Sequence, residues 1–226
     1  MKHTFFIKDW LNSFLSLLFP HCCVVCGRPL AKGEECLCIM CNINLPRTNY
    51  HLRKDNPVER LFWGQIPLER ATSFFFYRKG SDFRQILHQL KYGGKKEVGI
   101  IMGRYMAAEL LDSGFFEGID MIIPIPLHKK KQQIRGYNQS ECIARGIAAV
   151  TGITVCVESV VRRKNTETQT RKSVFERWEN VDGIFELNHA DSLTGKHILI
   201  VEGQCKNLRG KFINCYLCLQ IHSLWN

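Results

Sequence analysis

The chain has 226 residues, of which 45% are hydrophobic and 23% charged, as expected for a soluble globular protein with one sizeable core and a small additional unit. Because 31 Lys and Arg residues outnumber 21 acidic ones, the net charge of +10 favours a polyanionic partner, with a generally basic surface as the competing interpretation. Eleven cysteines, clustered mainly between Cys22 and Cys41, argue against a secreted disulfide scaffold and indicate a metal site in a cytoplasmic protein.

Residues 1–19 are predicted to form an amphipathic helix, because Trp10, Phe14 and Leu17 recur at helical spacing. The apolar run over 14–19 is too short to span a bilayer, and no small-residue cleavage site follows it. We therefore expect this helix to dock on the protein's own core rather than on a membrane, and we expect no transmembrane segment.

Residues 20–48 are predicted to form a small zinc-ribbon module. Two C-x-x-C pairs, Cys23 with Cys26 and Cys38 with Cys41, are separated by eleven residues. Two tight turns that each supply two thiolates suit the tetrahedral preference of zinc, and a site with four protein ligands is structural. A pair of redox-active or merely buried thiols is the alternative. Two further cysteines in this segment could compete as ligands, namely Cys22 and Cys36.

Residues 49–69 are predicted to be a linker, and residues 70–201 an α/β domain. Short apolar segments alternate there with helical periods, which predicts βαβ units and a mostly parallel sheet with flanking helices. Strands are expected over 73–77, 121–126, 154–161 and 197–201. Helices are expected to begin at Ser81, near Val98 and at Ser140, and to end near Gly93, Gly114 and Gly152.

Two basic segments carry the polar chemistry of this domain. The segment 128–140 brings lysines, Arg135 and a glycine turn at Gly136 to a helix N-terminus, an arrangement that suits an anion. The segment 162–172 is basic, rich in hydroxyls and amides and without periodicity, which is typical of a mobile loop over a ligand cleft. Either could be a solvated charged loop, but both are expected at the carboxyl ends of strands, where open α/β sheets bind ligands.

Several blocks in order along the chain resemble the ComF family of bacterial competence-associated proteins. The blocks are the cysteine pairs with Gly27-Arg28-Pro29, then 90–94, 123–128, 135–140 and 162–180, and the resemblance as a whole covers residues 10–201. The resemblance implies a phosphoribosyltransferase-like fold behind a zinc module and a role in DNA uptake. It also implies single-stranded DNA or a nucleotide as a partner, and a helicase or channel protein of the competence machinery as another.

The resemblance further implies which residues form the sites. The zinc ligands would be Cys23, Cys26, Cys38 and Cys41. The ligand and phosphate-binding residues would be Lys91, Arg135, Gly136, Asn138, Gln139 and Glu202, with Arg163, Thr168, Gln169 and Arg171 in the flexible loop. No catalytic residue is assigned.

The chain departs from the family pattern after the strand at 197–201. Family members continue with two acidic residues and a Thr-Thr-Gly-type turn that wraps a 5′-phosphate. Here Glu202 stands for the first acid, Gly203 replaces the second, and no such turn exists. We therefore expect a divergent tail over 202–226, in which residues 211–226 form neither a helix nor a final strand, and an incomplete sheet. A reading-frame change near codon 203 is our hypothesis for it, and a genuinely diverged tail is the alternative.

Three functions are compatible with the sequence. The first is a ComF-like protein that binds nucleic acid or nucleotide through its basic loops in DNA uptake, without transferase activity. The second is an active phosphoribosyltransferase that uses Mg²⁺ and Glu202. The third is a zinc-stabilised protein-interaction module with a scaffold domain behind it.

Overall fold

The computed structural model describes residues 20–64, 66–77, 80–163, 184–188, 190–208 and 211–222. The helix predicted over 1–19 lies outside the described residues, as do three predicted loop residues, Thr168, Gln169 and Arg171. Within the described part of the chain, no helix is both long enough and apolar enough to cross a bilayer.

The described residues form five α-helices and eight strands. The helices are α1 (Ile39–Ile43), α2 (Arg84–Tyr92), α3 (Lys96–Leu111), α4 (Lys129–Arg135) and α5 (Gln139–Thr151). The strands are β1 (Leu68–Thr72), β2 (Phe75–Phe76), β3 (Met121–Pro124), β4 (Thr154–Val155), β5 (Val160–Arg162), β6 (Phe185–Leu187), β7 (His197–Leu208) and β8 (Lys211–His222). Short 3-10 turns cover Tyr50–Leu52, Glu59–Leu61 and Ala190–Leu193.

The main sheet has the order β1-β8-β7-β3-β4, with β2 also paired to β8. Strands β7, β3 and β4 are parallel to one another, whereas β8 is antiparallel to both β7 and β1. Strands β5 and β6 form a separate antiparallel ribbon. The architecture confirms the predicted α/β class, with three parallel strands and flanking helices.

The C-terminal segment differs from its prediction. Strand β7 continues to Leu208, and β8 follows it over Lys211–His222 between β7 and β1. The expectation that 211–226 holds no final strand is therefore wrong. The segment 212–221 is an almost continuous apolar run, the pattern of a strand in the middle of a sheet. The reading-frame hypothesis concerns the gene and stays a prediction.

The strand predicted over 154–161 is divided in two. Strand β4 pairs with β3, and Cys156 still donates its backbone N–H to Ile122 O at 2.8 Å. The chain then bends at 157–159, and β5 pairs with β6 instead of continuing along the main sheet. Val160–Arg162 therefore belongs to a separate ribbon and not to the main sheet, so a single strand over 154–161 is wrong.

Helices α3 and α5 pack against each other through glycines. A Cβ atom placed on Gly146 would lie 2.1 Å from Ile100 O, and one placed on Gly103 would lie 2.3 Å from Ile143 O. The two backbones therefore touch, and they cover a core in which Met102 is fully buried. This close contact holds the start of α5 in a defined position over the sheet.

Candidate metal centre and anion-binding cleft

The two cysteine turns are shaped by backbone hydrogen bonds. In the first turn, Gly27 N–H donates to Cys23 O at 2.9 Å, and Gly27 has a φ of +71°, a conformation that glycine adopts without strain. In the second, Asn42 N–H donates to Cys38 O at 2.9 Å as α1 begins. A bond from Val24 N–H to Cys36 O at 3.0 Å ties the turns together.

The four predicted zinc ligands come together in space. The Sγ atoms of Cys23, Cys26, Cys38 and Cys41 all lie within 4.8 Å of one another, and Cys26 Sγ lies 3.7 Å from Cys38 Sγ. Zinc–sulfur bonds of about 2.3 Å place tetrahedral sulfurs about 3.8 Å apart, so this cluster fits a tetrahedral ion. The cluster could therefore hold a metal ion, and Cys22 lies outside it.

The surroundings shift the pKa values of Cys23 and its neighbour Cys36 in opposite directions. Burial works to raise the pKa of Cys23, but backbone N–H groups of Cys26 and Cys38 outweigh it and lower that pKa to about 7. Burial raises the pKa of Cys36 to about 12. Cys23 is thus prepared to act as a thiolate, whereas Cys36 stays a buried thiol.

The cysteine unit is joined to α3 by ion pairs. Arg47 donates from Nε to Glu109 Oε2 at 2.5 Å and from Nη1 to Asn42 O at 2.6 Å. Arg104, which also lies on α3, pairs with Glu35 of the cysteine unit at 2.9 Å. Five buried residues of the unit belong to the same cluster as the α3 core, namely Cys23, Cys36, Leu37, Cys38 and Leu45. The unit and the α/β domain therefore share one core.

A second site lies where β3 ends and α5 begins, beside residues 201–203 in the middle of β7. Asn138 caps α5: its side chain accepts from Ser140 N–H at 3.0 Å and donates to Ile125 O at 3.0 Å. The predicted cap was Ser140, two residues later, and this is wrong because an asparagine side chain caps equally well. Gly136, with a φ of +78°, ends α4 and turns the chain towards this cap.

The first turn of α5 also contacts the position where the family carries a second acid. Ser140 Oγ accepts a hydrogen bond from Gly203 N–H at 3.0 Å. A Cβ atom on Gly203 would lie 2.9 Å from Gln139 Cγ and 3.0 Å from Ile143 Cδ1. A larger residue at 203 would have to displace these side chains, so the helix and the glycine fit each other.

Three cations converge in this cleft. Burial lowers the pKa of Lys131, and the positive charges of Arg162 and Arg135 lower it further. Burial also lowers the pKa of Arg162, while the negative charge of Glu202 opposes that shift. Glu202 is itself only 8% exposed. Lys131, Arg135 and Arg162, called the cationic row below, therefore lie close enough for their charges to interact, with the buried carboxylate of Glu202 near Arg162. Such a concentration of positive charge suits an anion.

The predicted cleft residues occupy different positions. Arg135 donates from Nη1 to Gln139 Oε1 at 2.8 Å, so these two meet in the cleft. Lys91 is half-buried in the last turn of α2. Arg163 lies on the exposed ribbon, where its Nε donates to Glu186 Oε2. No sequence pattern distinguishes Lys131 or Arg162 from its neighbours, although Lys131 lies in the basic segment 128–140 and Arg162 in the basic segment 162–172.

Comparison with known proteins identifies similar chains. The DNA utilization protein YhgH of Shigella flexneri is 27% identical over 201 residues, which cover 82% of this chain and 85% of the relative. YhgH of Escherichia coli (strain K12) is 26% identical and that of Salmonella typhimurium (strain LT2) 25% identical over the same extent. No family model matches the chain.

Proposed function

We propose that this protein acts in DNA utilisation, in the manner of a ComF-like DNA-uptake protein, by binding single-stranded nucleic acid or nucleotide in the cleft. The observation that carries the proposal is that Arg135 is fixed at the start of α5 by its 2.8 Å hydrogen bond to Gln139, with Lys131 and Arg162 close enough for their charges to interact. Phosphate contacts of this kind supply most of the affinity of nucleic-acid binding. The similarity to proteins named for DNA utilisation supports the same conclusion.

We propose further that the cleft lacks transferase activity. A phosphoribosyltransferase needs two acids for the ribose hydroxyls and a turn for the 5′-phosphate, as the family resemblance implies. In this chain β7 continues as a strand to Leu208, and α5 packs against Gly203 where the second acid would stand. Glu202 remains, but its charge acts on Arg162. Mg²⁺ would enter only if the transferase alternative were correct.

The four-cysteine cluster is proposed to hold structural zinc. Four sulfurs at tetrahedral spacing leave no open coordination position, so the ion would stabilise the fold and take no part in a reaction. The ion would organise both cysteine turns and so hold Arg47 and Glu35 in their contacts with α3.

One observation favours a second candidate, a zinc-stabilised protein-interaction module. Helix α1 exposes three apolar side chains to solvent: Ile39 is 63%, Met40 53% and Ile43 68% exposed. Such a surface suits a protein partner, for which the resemblance implies a competence helicase or channel. Co-purification with such a partner, together with no affinity for nucleic acid, would favour this candidate.

The proposal is tested by the salt dependence of binding to a fluorescent single-stranded oligonucleotide. We expect the affinity to fall steeply with salt, and Lys131→Gln or Arg162→Gln to weaken binding and reduce the log–log slope by about 0.7 per lost contact. The matched control is Arg163→Gln, which removes a neighbouring cation that is already paired to Glu186 on the surface. A salt-independent affinity, or equal losses in all three variants, would contradict the proposal.

A further inference from the structure

The aromatic ring of Tyr92 lies exposed beside the cationic row. Tyr92 ends α2 and is 72% exposed, although it belongs to a helix whose Ile86 and Leu90 are fully buried. The Arg135 guanidinium lies 5.8 Å from the centre of its ring, and the His88 ring lies 5.4 Å away at an angle of 49°. A large aromatic surface is therefore offered to solvent next to positive charge.

The position of this ring is held by the surrounding structure. Tyr137 donates its hydroxyl to Leu90 O at 2.5 Å, which fixes the last turn of α2 against the chain between α4 and α5. Arg135, on the other side of the ring, is held by Gln139, which is 1% exposed. The tyrosine and arginine are thus positioned before any ligand arrives, which reduces the entropy lost on binding.

Arg135 links the Tyr92 ring to the cationic row. Arg135 lies over the Tyr92 ring. The positive charges of Arg162 and Arg135 both lower the pKa of Lys131. An aromatic ring thus lies beside one of the three interacting cations. Surfaces that bind single-stranded nucleic acid combine these two elements, a positive track for phosphates and aromatic faces for bases.

We propose that Tyr92, with the guanidinium of Arg135, is a stacking platform for an unpaired nucleobase, and that it makes the cleft selective for single-stranded over double-stranded nucleic acid. The inference rests on the proposed function, because Lys131 and Arg162 would hold the phosphates of the same strand. In a duplex each base is stacked between its neighbours and its faces are not available to a side chain. Stacking on a side chain is tolerant of sequence because every base has a π-face.

The test compares variants of the full-length, zinc-loaded protein with a single-stranded oligonucleotide and a duplex of the same sequence. Tyr92→Ala is expected to weaken single-strand binding between about 5-fold and about 100-fold and to leave the salt slope unchanged, because it removes stacking and no charge. Tyr92→Phe keeps the ring and is expected to bind within about 2-fold of the parent chain. Duplex binding is expected to change little in both variants.

Trp63 offers a matched control elsewhere in the chain. It is 56% exposed, and the Arg60 guanidinium lies 5.6 Å from its ring, so Trp63→Ala removes a similar cation–aromatic pair. We expect this variant to bind like the parent. If Tyr92→Ala matches Trp63→Ala, or if it weakens single-strand and duplex binding equally, the stacking platform is wrong while the proposed function stands. If the parent chain binds neither oligonucleotide, both are wrong.

Discussion

The metal centre is built from two turns that are close in the chain, whereas the cleft is built from elements that meet only after the sheet has formed. Cys26 and Cys38 are 12 residues apart, while Ser140 and Gly203, which join the cleft to β7, are 63 residues apart. The first site would depend mainly on the proposed zinc ion. The second depends on the packing of α3, α5 and β7. Changes at the two sites should therefore have different consequences.

The largest effect is expected from removal of the metal. Chelation, or Cys38→Ser, should release zinc and unfold residues 20–48, since structural zinc contributes apparent free energies of about 10–16 kcal/mol in isolated zinc fingers. Because Cys23 and Leu37 share a core with α3, the melting temperature of the whole chain should fall as well. Elemental analysis and thermal unfolding measure both effects.

Cys22→Ser is the matched control for that experiment. Cys22 is exposed and lies outside the four-sulfur cluster, so this variant should retain one zinc ion per chain and the parent melting temperature. A metal-free parent chain that melts at the same temperature as the zinc-loaded one would contradict the structural role of the ion.

The next largest effect is expected from Gly146→Ala, which acts on the framework of the cleft. The added methyl would lie 2.1 Å from Ile100 O and must separate α3 from α5, at a cost of about 1–3 kcal/mol in the free energy of unfolding. Alanine is otherwise the better helix former, so the sign of the effect is diagnostic. Denaturant unfolding measures it, with Ala149→Ser on the exposed face as the control. Stabilisation by Gly146→Ala would refute the close helix contact.

A smaller effect is expected from Ser140→Ala at the junction of α5 and β7. The substitution deprives the buried Gly203 N–H of its acceptor, which should lower the free energy of unfolding by about 1–2 kcal/mol. Zinc content should not change, because the metal centre is separate from this bond. Ser140→Thr retains a hydroxyl and serves as the comparison in the same unfolding experiment.

The smallest effect is expected at Asp120, which accepts from His197 N–H at 2.8 Å at the start of β7. This hydrogen bond lowers the pKa of Asp120 in the folded protein. The stabilisation from the carboxylate is therefore present at neutral pH and is lost as the pH falls through the ordinary value of 3.8 and below. Melting curves of the parent and Asp120→Asn should converge on acidification, and a constant difference would contradict this.

The two sites also differ in what could be predicted from the sequence. Ligand spacing within two turns is local information, so Cys23, Cys26, Cys38 and Cys41 were assigned together and the structure brings them together. Lys131 lies on α4 and Arg162 on β5, so the cationic row forms only where these two elements approach each other. No local sequence pattern predicts that approach. The sequence therefore predicts the two basic segments but not the proximity of Lys131 and Arg162.

The tail shows a different reason for a wrong prediction. Residues 211–222 have the apolar composition of a central strand and form one. The opposite expectation rests on the absence of the second acidic residue and the turn that the family pattern predicts before this segment. Pairing with β1 and β2, which lie far back in the chain, makes β8 part of the sheet. Such long-range pairing is set by tertiary structure rather than by local sequence.

The most direct test of the account is photo-crosslinking of a bromouridine-substituted single strand to the protein, followed by mass spectrometry of the peptides. We predict adducts on the peptides that contain Tyr92 and residues 129–137, and their loss at high salt. Adducts confined to residues 20–48, with none near the cationic row, would place nucleic-acid binding on the metal centre and contradict the central claim.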